Sequence, residues 1–158
     1  MNGVGKIGKA VIQRASGFNM KILAYDLFKD EAFARKYQFA YVPLKSIFPL
    51  TEKTQSLIGE KELRMMRKTS YLINAARGEI VDEKALSKAL INGWIAGVAL
   101  DVFENEPPVN SPFLKLKNVV LTPHMGAYSS EAIRKMGDTS VINLLNVLKG
   151  KRPLYRVN

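Results

Sequence analysis

A turn of three glycines, Gly3-Val4-Gly5-Lys6-Ile7-Gly8, stands near the start of the chain with the spacing G-x-G-x-x-G. Directly behind it Ile7, Val11 and Ala15 recur at i, i+4 and i+8, one stripe of an amphipathic helix, and Gly17 is placed to end it. Lys21-Ile22-Leu23-Ala24-Tyr25-Asp26 then reads as a strand closing on an acid. Glycine turn, helix, strand and terminal carboxylate, in that order, match the dinucleotide fingerprint. The glycines have separable jobs. Gly3 permits the tight turn, Gly5 lets the backbone approach a pyrophosphate, and Gly8 lets the helix pack close to the sheet. Lys6 and Ile7 complete the loop at the helix N-terminus, where N–H groups face the phosphates. Asp26, 18 residues after Gly8, is placed to accept hydrogen bonds from the adenine ribose. Leu27 and Phe28 follow it, with no arginine there to hold a 2′-phosphate, so the expected cofactor is NAD rather than NADP.

The rest of the chain alternates strands and helices. Phe39 to Val42 reads as a short strand, Pro43 to Phe48 as a short helix, and Glu60 to Arg67 as another helix. Ser70 to Ala75 reads as a buried strand, and Asp82 caps a helix running to about Asn92, with Gly93 after it. Ala96 to Asp101 and Val119 to Leu121 are further strands. Ser129 starts a long closing helix with the stripe Ile133, Met136, Val141, Leu144, Leu145 and Leu148, ended by Gly150. This alternation predicts an α/β, Rossmann-like, doubly wound parallel sheet in one domain spanning 1–158.

Composition narrows the chemistry. Without cysteine there is no disulfide, thiolate nucleophile or thiolate metal site, and a single histidine argues against zinc, so no metal is expected. No apolar run approaches 18 residues and no signal peptide precedes Gly3, so the expectation is a cytoplasmic protein without a membrane partner. The net charge of +10 comes from 24 basic residues scattered from Lys6 to Arg156. They form no long block and no aromatic-interleaved motif, so a solvated basic surface is expected rather than a nucleic-acid partner.

Three later stretches carry reactive groups: Asn74-Ala75-Ala76-Arg77-Gly78, Asp101-Val102-Phe103-Glu104-Asn105-Glu106-Pro107-Pro108, and Thr122-Pro123-His124-Met125-Gly126. Each lies just past the end of an expected strand. An arginine offers a fixed fork of donors for a carboxylate. A histidine exchanges a proton near neutral pH, and a carboxylate beside it can orient the ring. Together these are the parts for carbonyl–alcohol chemistry on an acid. At these residues, and from Gly3 to the C-terminus, the chain resembles the D-isomer-specific 2-hydroxyacid dehydrogenases, and within them is most like phosphoglycerate dehydrogenase. The resemblance implies that Arg77 binds the substrate carboxylate and carbonyl, that His124 is the acid/base and that Glu106 is its partner. It also implies that Asp101 lies near the nicotinamide carboxamide and that Ala76 belongs to the cofactor-binding set. The implied reaction is hydride transfer between NADH and a 2-keto acid.

Two departures from the family pattern shape the remaining expectations. Only Met1 and Asn2 precede the glycine turn, so the first strand and the substrate domain that normally lies before it are read as absent. Ser46-Ile47-Phe48 runs directly into Pro49, where relatives have a buried strand and its lead-in, about 10 residues by ordinary element lengths, so an internal deletion near 48–49 is read as removing strand four. Those two strands neighbour each other in the order 3-2-1-4-5-6. Losing both would leave the half-sheets about three strand spacings, near 14 Å, apart unless the chain closes over the gap. The chain alone is therefore expected to bind NAD weakly and to be inactive. The alternatives are a non-catalytic NAD-binding or oligomerisation module, with a homodimer among the forms it allows, or a decayed gene product.

Overall fold

The structure, a computed structural model, describes residues 1, 3–43 and 57–155. Two compact units emerge, residues 1–70 with 79–95, and residues 71–78 with 96–158.

In the first unit the glycine turn leads into α1 (Lys6–Ser16), with Gly5 in extended conformation as its N-cap. The next elements are β1 (Leu23–Ala24), α2 (Glu31–Lys36) and β2 (Ala40–Tyr41). β1 and β2 pair in parallel, Leu23 opposite Ala40 and Ala24 opposite Tyr41. Asp30 starts α2 because its carboxylate accepts from the Phe33 N–H, and it also pairs with Lys9 of α1. Val4, Ile12, Ala24, Ala34 and Phe39 form the core here, with Phe33, Tyr37 and Tyr41 packed against it. The same unit holds α3 (Glu60–Met65) and α4 (Glu83–Ile91), the latter capped by Asp82 and burying Ala85, Leu86, Ala89 and Leu90. Glu60 bridges Arg64 and Lys88, and the Arg64 guanidinium lies 3.7 Å from the centre of the Trp94 ring.

The second unit is a three-stranded parallel sheet in the order β3 (Tyr71–Asn74), β4 (Gly97–Leu100), β5 (Val119–Leu121). Tyr71 stands opposite Gly97, and Val98 opposite Val119. Leu72, Val98, Leu100, Val102, Phe103 and Phe113 are its buried side chains. A long helix, α5 (Ser130–Leu148), follows, capped by the Ser129 hydroxyl.

Parallel strands alternating with helices make the chain α/β, with an incomplete Rossmann-like sheet. Among the described residues no strand pairing joins β1–β2 to β3–β4–β5. Three expectations need correction. The first strand is not wholly absent: Met1 and Gly3 bond to Leu23 and Tyr25 in the alternating pattern of a parallel pair, with Tyr25 N–H on the Met1 carbonyl at 2.9 Å. The α1 stripe is displaced: Gly8 and Ile12 are buried, whereas Ile7 is 79% exposed. Gly8 lies hard against the Gly3 carbonyl, and that close approach turns the Gly8–Ile12 line inward. β3 is half-buried rather than buried, because strand alternation sends Leu72 and Asn74 inward and Tyr71 and Ile73 to solvent. In α5 no residue is buried, so its apolar stripe lies exposed. The helix expected over Pro43 to Phe48 and the deletion near 48–49 fall largely or wholly outside the described residues.

Candidate functional site

The glycine turn takes its shape from backbone requirements. Gly3 has φ +84°, which disfavours any residue with a Cβ. A Cβ built on Gly8 would stand 2.2 Å from the Gly3 carbonyl oxygen, so only glycine lets α1 come this close. Gly5 is the opposite case, since a Cβ there meets nothing within 4 Å. That open space lies at the α1 N-terminus, where the first-turn N–H groups have no intrahelical acceptor. The surroundings of Gly5 therefore fit an anion such as a pyrophosphate.

Asp26 closes the turn from β1. Its Oδ2 accepts from the Val4 N–H at 2.6 Å and its Oδ1 from the Phe28 N–H at 2.9 Å. These two amides hold the carboxyl below its ordinary pKa, the Val4 bond contributing most. A carboxylate offers about four acceptor sites, so room remains for ribose hydroxyls.

In the second unit the reactive residues lie on loops after the three strands. His124 Nδ1 and Glu106 Oε2 are 2.9 Å apart. The other Glu106 oxygen accepts from the Phe103 N–H at 3.1 Å, which turns the loop back on itself and aims the carboxylate. The His124 bond, then the Phe103 amide, lowers the Glu106 pKa. An ionised carboxylate can only accept, so Nδ1 carries the hydrogen of this bond and Nε2 is left for proton exchange.

Asp101 sits just past β4 and reaches the same histidine loop. Its Oδ1 accepts from the Thr122 hydroxyl at 2.6 Å and the Met125 N–H at 2.8 Å, and its Oδ2 from the Gly126 N–H at 2.9 Å. The Thr122 hydroxyl is the chief cause of its lowered pKa. Arg77 follows β3, and its guanidinium donates to the Ala76 carbonyl at 2.7 Å. The structure thus joins His124 to Glu106 directly. Asp101 braces their loop, and Arg77 folds back on its own backbone.

The model of the D-isomer-specific 2-hydroxyacid dehydrogenase NAD-binding domain matches residues 1–126. The chain belongs to that family. NAD is the cofactor of this family's domain. Glyoxylate reductase from Korarchaeum cryptofilum is 46% identical over 167 aligned positions, which cover 99% of this chain and 50% of that protein. Glyoxylate reductase from Pyrococcus horikoshii is 45% identical, again over 99% of this chain and 50% of its own length. The dehydrogenase-family chain thus spans about half the length of the curated relatives it matches. Because 167 aligned positions exceed its 158 residues, the Korarchaeum protein carries residues with no counterpart here.

Solved structures agree in fold. The D-isomer-specific 2-hydroxyacid dehydrogenase from Lactobacillus delbrueckii ssp. bulgaricus, in its NAD-complexed form, is 35% identical with a TM-score of 0.85, over 99% of this chain and 55% of that one. A glyoxylate reductase from Paecilomyes thermophila is 33% identical with a TM-score of 0.87, over 99% and 50%. The emphasis on phosphoglycerate dehydrogenase finds no support in these relatives, which are named as glyoxylate reductases.

Three supporting residues of this dehydrogenase domain escaped the sequence reading. Buried Asn74 organises the arginine loop: its Nδ2 donates to the Arg77 carbonyl and its Oδ1 accepts from the Ala76 N–H. A polar residue ending an apolar strand was the available signal. Gly78 lets that loop meet the one after β4, since a Cβ there would stand 2.1 Å from the Phe103 carbonyl atoms. Thr122 is the hydroxyl partner of Asp101, a pairing across 21 residues that no local pattern announces.

Among the described residues no three His, Asp or Glu side chains converge as metal ligands, and no helix is long and apolar enough to cross a membrane.

Proposed function

We propose that this chain is the cofactor-binding half of an NAD-dependent reductase of small 2-keto acids, in which His124, Glu106 and Arg77 serve the reaction. The observation that carries the reading is the 2.9 Å bond between His124 Nδ1 and Glu106 Oε2. It fixes one ring nitrogen as a donor and leaves Nε2 to give a proton to a carbonyl oxygen, or to take one from the alcohol in the reverse direction. Arg77 exchanges its bond to the Ala76 carbonyl for a bidentate grip on the substrate carboxylate. Bound NADH would supply the hydride. In the first unit the loop Gly3–Gly8, with Lys6 and Ile7, would take a pyrophosphate beside Gly5, and Asp26 would take a ribose. In the second unit Asp101 and Ala76 are the residues assigned to the nicotinamide end by family resemblance.

The names of the relatives favour glyoxylate as the substrate over a phosphorylated acid. These 158 residues alone are expected to bind NADH weakly and not to turn over, since the other half of such enzymes would help enclose the substrate. The chain, with the positions it lacks restored, should be fused to the remaining half of the Korarchaeum cryptofilum protein and assayed by NADH oxidation with glyoxylate. Turnover that His124→Gln reduces at least ~100-fold is expected, the usual contribution of a positioned acid/base. Turnover indifferent to that substitution refutes the assignment.

A second reading, an association module, draws on the bare apolar stripe of α5, where Met136, Val141 and Leu144 are all more than half exposed. Light scattering of the purified chain separates the two, because a strictly monomeric chain at high concentration removes the support for this one.

A further inference from the structure

His124 has φ +51°, a left-handed conformation uncommon for a residue with a Cβ. Something must keep the loop there. The Thr122 carbonyl accepts from the His124 N–H at 3.0 Å, which closes a tight turn but does not anchor it to the sheet. The anchor comes from β4. We propose that Asp101 is a positioning residue, a latch that holds the His124 loop in the shape presenting the imidazole to Glu106.

Three donors converge on this one carboxylate: the Thr122 hydroxyl before the histidine, and the Met125 and Gly126 amides after it. His124 is therefore clamped on both sides by a single group just past the neighbouring strand β4. Asp101 is itself held, since its N–H donates to the Asn74 carbonyl of β3 at 3.0 Å. Position 126 suits the latch, because a Cβ there would stand 3.1 Å from Asp101 Oδ2 and crowd the amide bond. Bonding to these donors also holds the carboxyl below its ordinary pKa, so it is an acceptor at neutral pH.

This inference rests on the reading of His124 as the proton-transferring group, but its test does not. Amide exchange is measured by NMR on the cofactor-free 158-residue chain and on Asp101→Ala, Asp101→Asn and Thr122→Val. In Asp101→Ala the Met125 and Gly126 amides should exchange roughly tenfold or more faster, while the β4 amides of Val98–Leu100 keep their rates. Asp101→Asn should restore Met125 in part and release Gly126, because an amide nitrogen cannot accept. If Asp101→Ala does not fold, Thr122→Val, which removes one hydroxyl, should give a smaller rise confined to the same loop. The chain has one histidine, so its ring 15N signals are unambiguous. They should change from a bonded Nδ1–H toward solvent values in Asp101→Ala although Glu106 is intact. Wild-type exchange at Met125 and Gly126 in every variant, or an unchanged ring signature, overturns the latch. Turnover in the fused enzyme that ignores His124→Gln would overturn the functional reading and leave this loop result standing.

Discussion

Substituting Gly8 and Gly5 by alanine in turn should separate what the glycine turn does for the fold from what it does for the cofactor. At Gly8 the new methyl would stand 2.2 Å from the Gly3 oxygen and 3.0 Å from the Gly3 carbon. A carbon–oxygen contact needs about 1 Å more than this, and Gly3 has little freedom to retreat. Its N–H donates to the Tyr25 carbonyl at 2.9 Å, and the next amide is held by Asp26 at 2.6 Å. Forcing a methyl into such a contact with backbone costs about 2–3 kcal/mol, the upper range for overpacking. Alanine inside a helix returns about 1 kcal/mol relative to glycine, so the net loss should be about 1–2 kcal/mol. At Gly5 a methyl meets nothing, and the backbone at φ −68°, ψ −165° suits any residue. Loss of a glycine cap and the smaller entropy of the unfolded chain nearly offset each other there, within about 0.5 kcal/mol. Urea unfolding can be followed through Trp94, the only tryptophan, which lies in the same unit as both glycines. Gly8→Ala should lower the midpoint by about 0.5–1 M, using a mid-range urea slope of ~2 kcal/mol/M. Gly5→Ala should leave it in place while weakening NADH binding, followed by nucleotide fluorescence, because its methyl occupies the space a pyrophosphate would need. Equal midpoints for Gly8→Ala and wild type, or a Gly5→Ala variant that binds NADH unchanged, would refute the division of roles.

Gly78→Ala should destabilise the second unit by about 3 kcal/mol, the upper range for overpacking, since the methyl would meet backbone atoms of Phe103 and Glu104 at 2.1–2.4 Å; amide exchange across β3–β5 would read it. The Glu106 pKa is lowered by His124, so this pairing stabilises the fold above the usual carboxylate range and is lost as pH falls through the lowered folded value. His124→Ala should therefore move the Glu106 carboxyl signal in a 13C titration back toward an ordinary glutamate, and an unmoved midpoint would count against the pair. Asp26→Ala should weaken NADH binding more than NADPH binding, and should also loosen the Val4 amide it holds, seen as faster exchange there. Equal losses for the two cofactors would remove the ribose role.

Local chemistry explains which structural features could be read in one dimension. The glycine turn, the Asp82 and Ser129 caps and the strand-ending acids Asp26 and Asp101 depend on backbone geometry within a few residues, and such requirements leave their mark on adjacent letters. The His124–Glu106 bond was legible for a different reason, through resemblance of whole motifs rather than through any periodicity. Other features were illegible because they depend on which surfaces meet. Ile7 and Ile12 are equally apolar, and only the close approach of Gly8 to the Gly3 carbonyl decides that Ile12 is buried and Ile7 is not. The stripe of α5 has the spacing of a buried face, yet a stripe states only that a partner is wanted, and burial requires the partner.

What the sequence determined by itself is the order of elements and the glycine turn with its acid, since each follows from covalent geometry or side-chain chemistry. Only the tertiary structure decided that Met1 and Gly3 bond to the backbone of Leu23 and Tyr25, that β1 pairs with β2, and that one aspartate braces the histidine loop. Those outcomes rest on hydrogen bonds between groups well separated in the sequence. A backbone amide must find an acceptor somewhere, but which acceptor it finds is settled by the packing of the whole chain.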